Sequence, residues 1–440
     1  MAGRVHVVGA GLAGLACALR LARAGAAVTL HEAAGHAGGR CRSYQDAQLG
    51  CEIDNGNHLI LSGNRAMLAY LADCGADGEL WGPDEAAVPF VDFQTGQRWT
   101  VRPNRGRLPW WLALPGRRAP DGGLLDHLAD LARLRRAGDD ETVAGLLGGS
   151  PLYPRFWRLL AVSILNTPAE QASARLLWRT LAESLALGGA ACRPLFPRHS
   201  LGRTFVEPAR AALDGLGAEL RFNNRLRAVE RSGERATALD FTGGEIRLGE
   251  GDRLVLALPP DAAARLLPAL PALAEPFEHN PILNAHFRLD RPAALPGDLP
   301  FTGVTGSDRV EWVFARGDIL SVTLSAAGER ADRTAEEVAP AVWHELQSIL
   351  GLADTPLPRH RIVTERRATI AQTPAQAARR AAATAAGGNV LLAGDWTDTG
   401  LPCTIEGAIR SGHLAAELAL ATAPCAADFH GIGKKNKTGH

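Results

Sequence analysis

Lysine is missing from the chain until its last seven residues: Lys434, Lys435 and Lys437 are the only three, and every earlier basic side chain, histidines aside, is arginine. So abrupt a change of composition reads 426–440 as a disordered tail outside the fold. Neither charge is in excess, since Lys+Arg and Asp+Glu each total 47. Nothing in that balance points to nucleic acid. The seven cysteines include no C-x-x-C pair, which argues against a disulfide or zinc framework, predicts no metal, and fits a reducing cytoplasm. No run approaches the ~18 uninterrupted apolar residues of a membrane-spanning helix. The chain is therefore expected to be soluble and cytoplasmic, or peripheral on a membrane surface. Glycines interrupt the apolar N-terminus, and no small-residue cleavage pattern separates it from the motif that follows, so it does not read as a signal peptide. At 440 residues, two or three domains are expected.

What is present begins at Val5. The run Val5-His6-Val7-Val8 is short and β-branched, as in a buried parallel strand. Gly9-Ala10-Gly11-Leu12-Ala13-Gly14 follows. Leu12, Leu15, Ala16, Leu19 and Ala22 then recur at helical spacing, with Gly25 placed to end the helix. Ala27-Val28-Thr29-Leu30 and Glu32 complete a strand–turn–helix–strand unit. In that context G-x-G-x-x-G predicts a dinucleotide site. Gly9 permits the turn, Gly11 lets backbone approach a pyrophosphate, and Gly14 lets helix and strand pack closely. Leu12 and Ala13 open the helix whose N-terminus faces the phosphates. Glu32 is placed to accept hydrogen bonds from an adenosine ribose, and its charge disfavours a 2′-phosphate.

A second glycine cluster, Gly35-His36-Ala37-Gly38-Gly39-Arg40, offers close backbone approach and a guanidinium that could meet phosphate. Next comes Asp54-Asn55-Gly56-Asn57-His58-Leu59-Ile60-Leu61-Ser62-Gly63-Asn64. Gly9–Gly14, Glu32 and Gly38-Gly39-Arg40 resemble the amine oxidase and phytoene desaturase superfamily of flavoproteins. The Asp54–Asn64 run resembles its squalene-associated branch, the hydroxysqualene dehydroxylases. The resemblance implies FAD as cofactor and places Gly56, Asn57 and His58 near the isoalloxazine. His58 is the candidate catalytic acid; a histidine that merely orients its loop is the alternative reading.

The resemblance spans Val5 to Ala421 and implies an α/β (α+β overall) architecture. A Rossmann-type FAD-binding domain with a β-meander is expected from 1–75, 190–260 and 385–425. A discontinuous mixed-sheet and helical substrate domain is expected from 76–189 and 261–384. Within these, 66–80 reads as a helix, 88–101 as a hairpin turning at Gln94-Thr95-Gly96, and 124–135 and 153–187 as helical roof. Short alternating runs from 219 to 258 read as the meander, where the resemblance sets Leu226 beside adenine. Leu108-Pro109-Trp110-Trp111-Leu112-Ala113-Leu114-Pro115, with arginines on both flanks, has the composition of an interfacial membrane anchor. A core segment with solvated arginines is the alternative.

The last signature is Asn389-Val390-Leu391-Leu392-Ala393-Gly394-Asp395-Trp396-Thr397, continuing through Gly400-Leu401-Pro402-Cys403-Thr404-Ile405-Glu406-Gly407 into a helix. It reads as a buried strand, an acid at its end, and a helix N-terminus with partial positive charge. The resemblance implies that Gly394 and Asp395 hold the ribityl–pyrophosphate side of FAD. It also implies that Thr404, Ile405 and Glu406 aim the helix at the flavin N1/O2 edge. Cys403 reads as a small packing residue.

The activity the resemblance implies is reductive dehydroxylation of hydroxysqualene to squalene, with a lipophilic polyprenoid as substrate. A carotenoid or phytoene desaturase is the nearest rival. The aromatic cage of an amine oxidase is poorly served by three tyrosines and 5% aromatic residues. A prenyl-binding chaperone of the same fold would not keep the flavin signatures intact. No second nucleotide fingerprint follows residue 200, so the electron donor is an unidentified carrier, and handover from upstream squalene-pathway enzymes is expected.

Overall fold

Burial of Val5, Val7 and Val8 on both faces makes Arg4–Val8 (β1) a central strand. It pairs in parallel with Ala27–His31 (β2) on one side and with Arg253–Leu256 on the other. Glu219–Arg221 and Val390–Leu392 extend this all-parallel sheet to five strands. The sheet thus joins the first, middle and last parts of the chain. The computed structural model describes residues 3–297, 299–352 and 355–421, so the expected tail at 426–440 and the end of the 385–425 segment lie outside the described residues.

Between β1 and β2 runs the helix Leu12–Arg23 (α1), and against it packs the C-terminal helix Ile405–Ala421. Glycine makes this crossing possible. A Cβ on Gly412 would sit 2.1 Å from the Ala13 carbonyl oxygen, and one on Gly14 would sit 1.8 Å from that of Gly9. Helix touches helix, and helix touches turn, backbone to backbone.

Of the runs expected as meander from 219 to 258, Glu219–Arg221 and Arg253–Leu256 belong instead to the parallel sheet; the meander is a separate three-stranded sheet, Leu226–Ser232, Arg235–Phe241 and Gly244–Arg247. It meets the main sheet through a buried polar pair. His6 Nδ1 lies 3.2 Å from His31 Nε2, and His31 Nδ1 lies 3.0 Å from Asn224 Nδ2. Phe241 stacks on the His31 ring at 4.2 Å. Burial, with the neighbouring His6, pushes His31 down to about 3, so the pair is neutral in the folded protein.

A seven-stranded sheet forms the second lobe, in the order Arg359–Ile370, His279–Arg288, Ile319–Leu324, Trp312–Arg316, Phe301–Thr305, Val88–Asp92, Arg98–Val101. It is antiparallel except where Phe301–Thr305 lies parallel to Val88–Asp92. Ala335–Leu350 covers one face. A helical layer covers the other, packing Leu134, Trp157, Leu165 and Leu177 toward Phe90, Phe301 and Trp312. The 153–187 stretch is not continuous helix. Asn166 turns left-handed (φ 45°), and its side chain bonds the Asn280 carbonyl and Thr369, so the chain breaks there and restarts at the Ser173 cap. Similarly, the 66–80 helix ends early, at Arg65–Asp73, ahead of a left-handed Gly75.

Two outcomes follow. Gly412→Ala forces the two helices apart and should cost about 2 kcal/mol or more, read as a lowered urea midpoint; parent stability would show that the crossing tolerates a methyl group. His31 and the buried His286, which burial lowers to about 4, bind protons in the unfolded chain before they do in the folded one. Stability should therefore be intact above about pH 6.5 and fall below it, by about 1.4 kcal/mol per pH unit for each histidine until its folded pKa is reached. Urea unfolding at stepped pH checks this, and a flat profile would refute the burial argument.

Candidate functional site

The three glycines of the first motif have three different surroundings. Gly9 turns left-handed (φ 104°), and a Cβ there would meet the Ala257 carbonyl oxygen at 2.3 Å. Gly14 is closed by Gly9 itself. Gly11 alone has nothing within 4 Å of where a Cβ would be. No side chain caps α1 at Gly11, so the N–H groups of its first turn, at Leu12 and Ala13, are left for an anion. The second cluster folds onto the first: Gly38 N–H donates to the Ala10 carbonyl at 2.8 Å, and Gly39 approaches the Gly11 Cα. Glu32 is fixed at the end of β2, its two oxygens accepting from Ala10 N–H at 2.7 Å and Ala34 N–H at 2.8 Å. Leu226 is buried at the start of the meander, close to Asn224.

Arg40 is anchored by two acceptors. Its guanidinium donates to Asp395 at 2.7 Å and to the Ala368 carbonyl at 2.5 Å, a salt bridge that joins the two ends of the chain. Asp395 is in turn held by a buried arginine. Arg380 donates to the carbonyls of Asp395 at 2.6 Å, Thr397 at 2.7 Å, Leu401 at 2.5 Å and Trp396 at 3.3 Å. Four carbonyl oxygens stand in for a counter-ion, and the 395–401 loop is drawn around one cation. Gly394 completes the turn, with N–H to Ser411 and its carbonyl accepting from Thr397.

The loop bearing His58 is seated on the second lobe. Asn57 donates to Thr323 Oγ1 at 3.0 Å, Thr323 donates to Asn284 Oδ1 at 2.8 Å, and Asn284 donates to the Asn55 carbonyl at 3.3 Å. Gly56 lies directly over Asn284. His58 is exposed and has no hydrogen-bond partner among the described residues. The protein crowding around it still lowers its pKa by loss of solvation, an effect that Asp54 opposes and Arg40 reinforces. At neutral pH the ring is therefore mostly uncharged.

At the last signature Thr404 Oγ1 accepts from Gly407 N–H at 3.1 Å, and the helix begins at Ile405. Glu406 is turned away from that terminus. Its two oxygens accept from Ala66 N–H at 3.0 Å and Met67 N–H at 2.9 Å, capping the 65–73 helix. Cys403 is buried, its thiol is pushed up to about 12, and it lies 3.4 Å from the Asp395 carbonyl. It is a packing residue.

The flavin containing amine oxidoreductase model matches residues 12–420. A hydroxysqualene dehydroxylase of Rhodopseudomonas palustris is 45% identical over 427 residues, 96% of this chain and 99% of that protein. One from Sinorhizobium fredii is 44% identical, covering 94% and 98%. The chain belongs to the flavin-containing amine oxidoreductases, among the hydroxysqualene dehydroxylases. In fold it is similar to a putative protoporphyrinogen oxidase from Exiguobacterium, with a TM-score of 0.68 at 18% identity over 96% of this chain and 99% of that one.

The cofactor of this flavin-containing amine oxidoreductase is FAD, and the site's own features fit it: the open space at Gly11, the uncapped first turn of α1, and a second glycine cluster pressed against it. Sequence reasoning missed Arg380, Asn284 and Thr323. A buried arginine with carbonyl partners has no acidic residue at a fixed spacing to betray it. Asn284 and Thr323 alternate with apolar neighbours on strands and carry no motif. The double tryptophan divides: Trp111 is 3% exposed and packs in the helical core, while Trp110 is 51% exposed. Only Trp110 can serve a surface.

Because Arg380 gathers the loop that carries Asp395, Arg380→Lys should loosen it and weaken FAD binding by about 2 kcal/mol or more. Fluorescence titration of the apoprotein with FAD reads this, and unchanged affinity would remove Arg380 from the site.

Proposed function

We propose that the enzyme reductively dehydroxylates hydroxysqualene to squalene with loss of water, in squalene and hopanoid synthesis. The observation that carries this is near-full-length likeness, at 40–45% identity, to three hydroxysqualene dehydroxylases. The allylic hydroxyl accepts a proton and departs as water, leaving a delocalised cation that a hydride quenches. Reduced FAD, when bound, supplies that hydride. The protein must deliver the proton and keep water from the cation.

His58 is the proposed proton donor. It sits on the loop tethered to Thr323, and Trp312 pairs across strands with Thr323, so the two share one face of the second sheet. Phe301 and Phe314 stack along the same face beside Trp312. An apolar aromatic wall beside the His58 loop supports a water-poor chamber, and the buried His286, two residues along its strand from Asn284, shares that sheet face. The residues proposed to hold FAD are Gly9, Gly11, Leu12, Ala13, Gly14, Glu32, Gly38, Gly39, Arg40, Gly56, Asn57, Leu226, Gly394, Asp395, Thr404, Ile405 and Glu406. Glu406 would contribute through backbone and by holding neighbours, since its carboxylate is already engaged, whereas the Arg40 guanidinium keeps donors beyond those given to Asp395 and Ala368.

Neither the alcohol nor the hydrocarbon dissolves in water. We infer that the substrate arrives at a membrane surface, handed on by an upstream enzyme, and that electrons come from a separate carrier. No helix among the described residues is long and apolar enough to cross a membrane.

A donor with a lowered pKa is protonated only on the acid side, so kcat/KM should go on rising as the pH falls below the ordinary histidine value of about 6.5. His58→Ala should keep the flavin absorbance and lose about 100-fold or more of squalene formation. The assay is anaerobic, with photoreduced enzyme and hydroxysqualene. Full turnover by the variant discards the role of His58, while a colourless protein that takes up no FAD discards the reaction.

A further inference from the structure

We propose that the outer face built by the Trp110–Ala113 turn and the Leu124–Arg135 helix seats the protein on an anionic phospholipid bilayer. This rests on the reading that the substrate is a water-insoluble polyene, and it adds which face of the enzyme meets the lipid. Among the described residues ten large apolar side chains are exposed, and six of them, Leu108, Trp110, Leu114, Leu124, Leu125 and Leu128, fall between residues 108 and 128. Exposed apolar residues scattered singly need no explanation; a cluster does.

The two elements lie side by side. Trp111, buried beneath Trp110, meets the His127 ring edge-on at 6.5 Å, so the turn and the helix share their inner contact and present their outer faces together. On the helix, Leu124, Leu125 and Leu128 fall within a ~100° arc. The same helix withdraws both of its carboxylates from that surface. Asp126 accepts from Gly123 N–H at 2.7 Å, and the buried Asp130 accepts from Ser150 and from Trp157 Nε1 at 2.8 Å.

Arginines border the apolar area on both sides. Arg105 and Arg107 precede the turn, and Arg135 and Arg136 follow the leucines; all four are exposed. None has a carboxylate within ion-pair distance among the described residues. Arg117 lies over the Trp110 ring at 5.3 Å, holding the indole at the edge of the patch. An apolar centre, a tryptophan at its rim and unpaired positive charge around it complement the acyl boundary, the headgroup level and the phosphates of an anionic leaflet respectively. The patch lies on the outside of the helical layer whose inner side chains face the aromatic wall, so lipid and chamber would be served by opposite faces of one layer.

The test uses the full-length, FAD-loaded enzyme with protein-free vesicles of phosphatidylcholine alone or mixed with phosphatidylglycerol. Co-sedimentation should favour the mixed vesicles and weaken with salt. Trp110→Ser with Leu125→Ser and Leu128→Ser should reduce binding about tenfold or more. Arg135→Glu with Arg136→Glu should reduce it about fivefold or more per arginine, and on anionic vesicles only. These side chains are exposed, so flavin absorbance and unfolding midpoint should match the parent's, as should turnover of detergent-dispersed hydroxysqualene. Absence of vesicle binding by a parent enzyme that turns over detergent-dispersed substrate overturns this surface and leaves the reaction standing. So does unchanged binding by both variants, or membrane retention that is lost when membrane proteins are stripped. Vesicle binding by a protein inert toward hydroxysqualene overturns the reaction and leaves the surface.

Discussion

A cation buried without a counter-ion governs the site. Arg380 is 8% exposed and touches no carboxylate oxygen among its hydrogen-bond partners; its charge is met by carbonyls of residues 395, 396, 397 and 401. Removing a guanidinium from water is costly unless every donor finds an acceptor. The loop therefore cannot relax outward without stranding the charge, which makes its curvature close to obligatory. Asp395 leaves that loop pointing at Arg40, and the Arg40–Asp395 bridge then ties the second glycine cluster to the last signature. Local electrostatics at one end of the chain sets the geometry of the other.

Small residues do the complementary work where charge cannot. Gly14 and Gly412 allow α1 to touch both the Gly9 turn and the C-terminal helix through backbone, so two helix N-termini from opposite ends of the sequence can be directed into one region. The Asn57–Thr323–Asn284 chain adds a third constraint, coupling the His58 loop to the second sheet. Each of its members is satisfied by the next, and such a network holds a loop in place only while it is complete.

Where one helical or strand period carries the information, the fold was legible in the sequence. The β1–α1–β2 unit, the hairpin at 88–101, the three inner strands of the 219–258 stretch and the helix at 124–135 all follow from spacing and turn residues. The glycine motif even predicted its own division of labour, with Gly11 open and Gly14 closed. What escaped was set by partners far away in the chain. Asn166 broke an apolar stretch that otherwise repeats as a helix, because Asn280 and Thr369 compete for its amide. Nothing in the spacing of Arg40 announces its salt bridge to an acid 355 residues away. Glu406 was correctly set at a helix N-terminus, yet its carboxylate serves a different helix.

Trp110 and Trp111 make the same point at a single peptide bond. Composition treats them as a pair, but in the short turn that contains them neighbouring side chains diverge, and only one can reach solvent. Burying Trp111 beside Phe156 and Leu134 anchors the turn; the anchored turn is what keeps Trp110 outside, with Arg117 over its face. Exposure of one indole is thus a consequence of burying the other. The helix that follows obeys the same rule, since Leu134 and His127 turned inward oblige Leu124, Leu125 and Leu128 to turn outward. An exposed apolar face of this kind is produced by the core beneath it, and it persists as long as that core does.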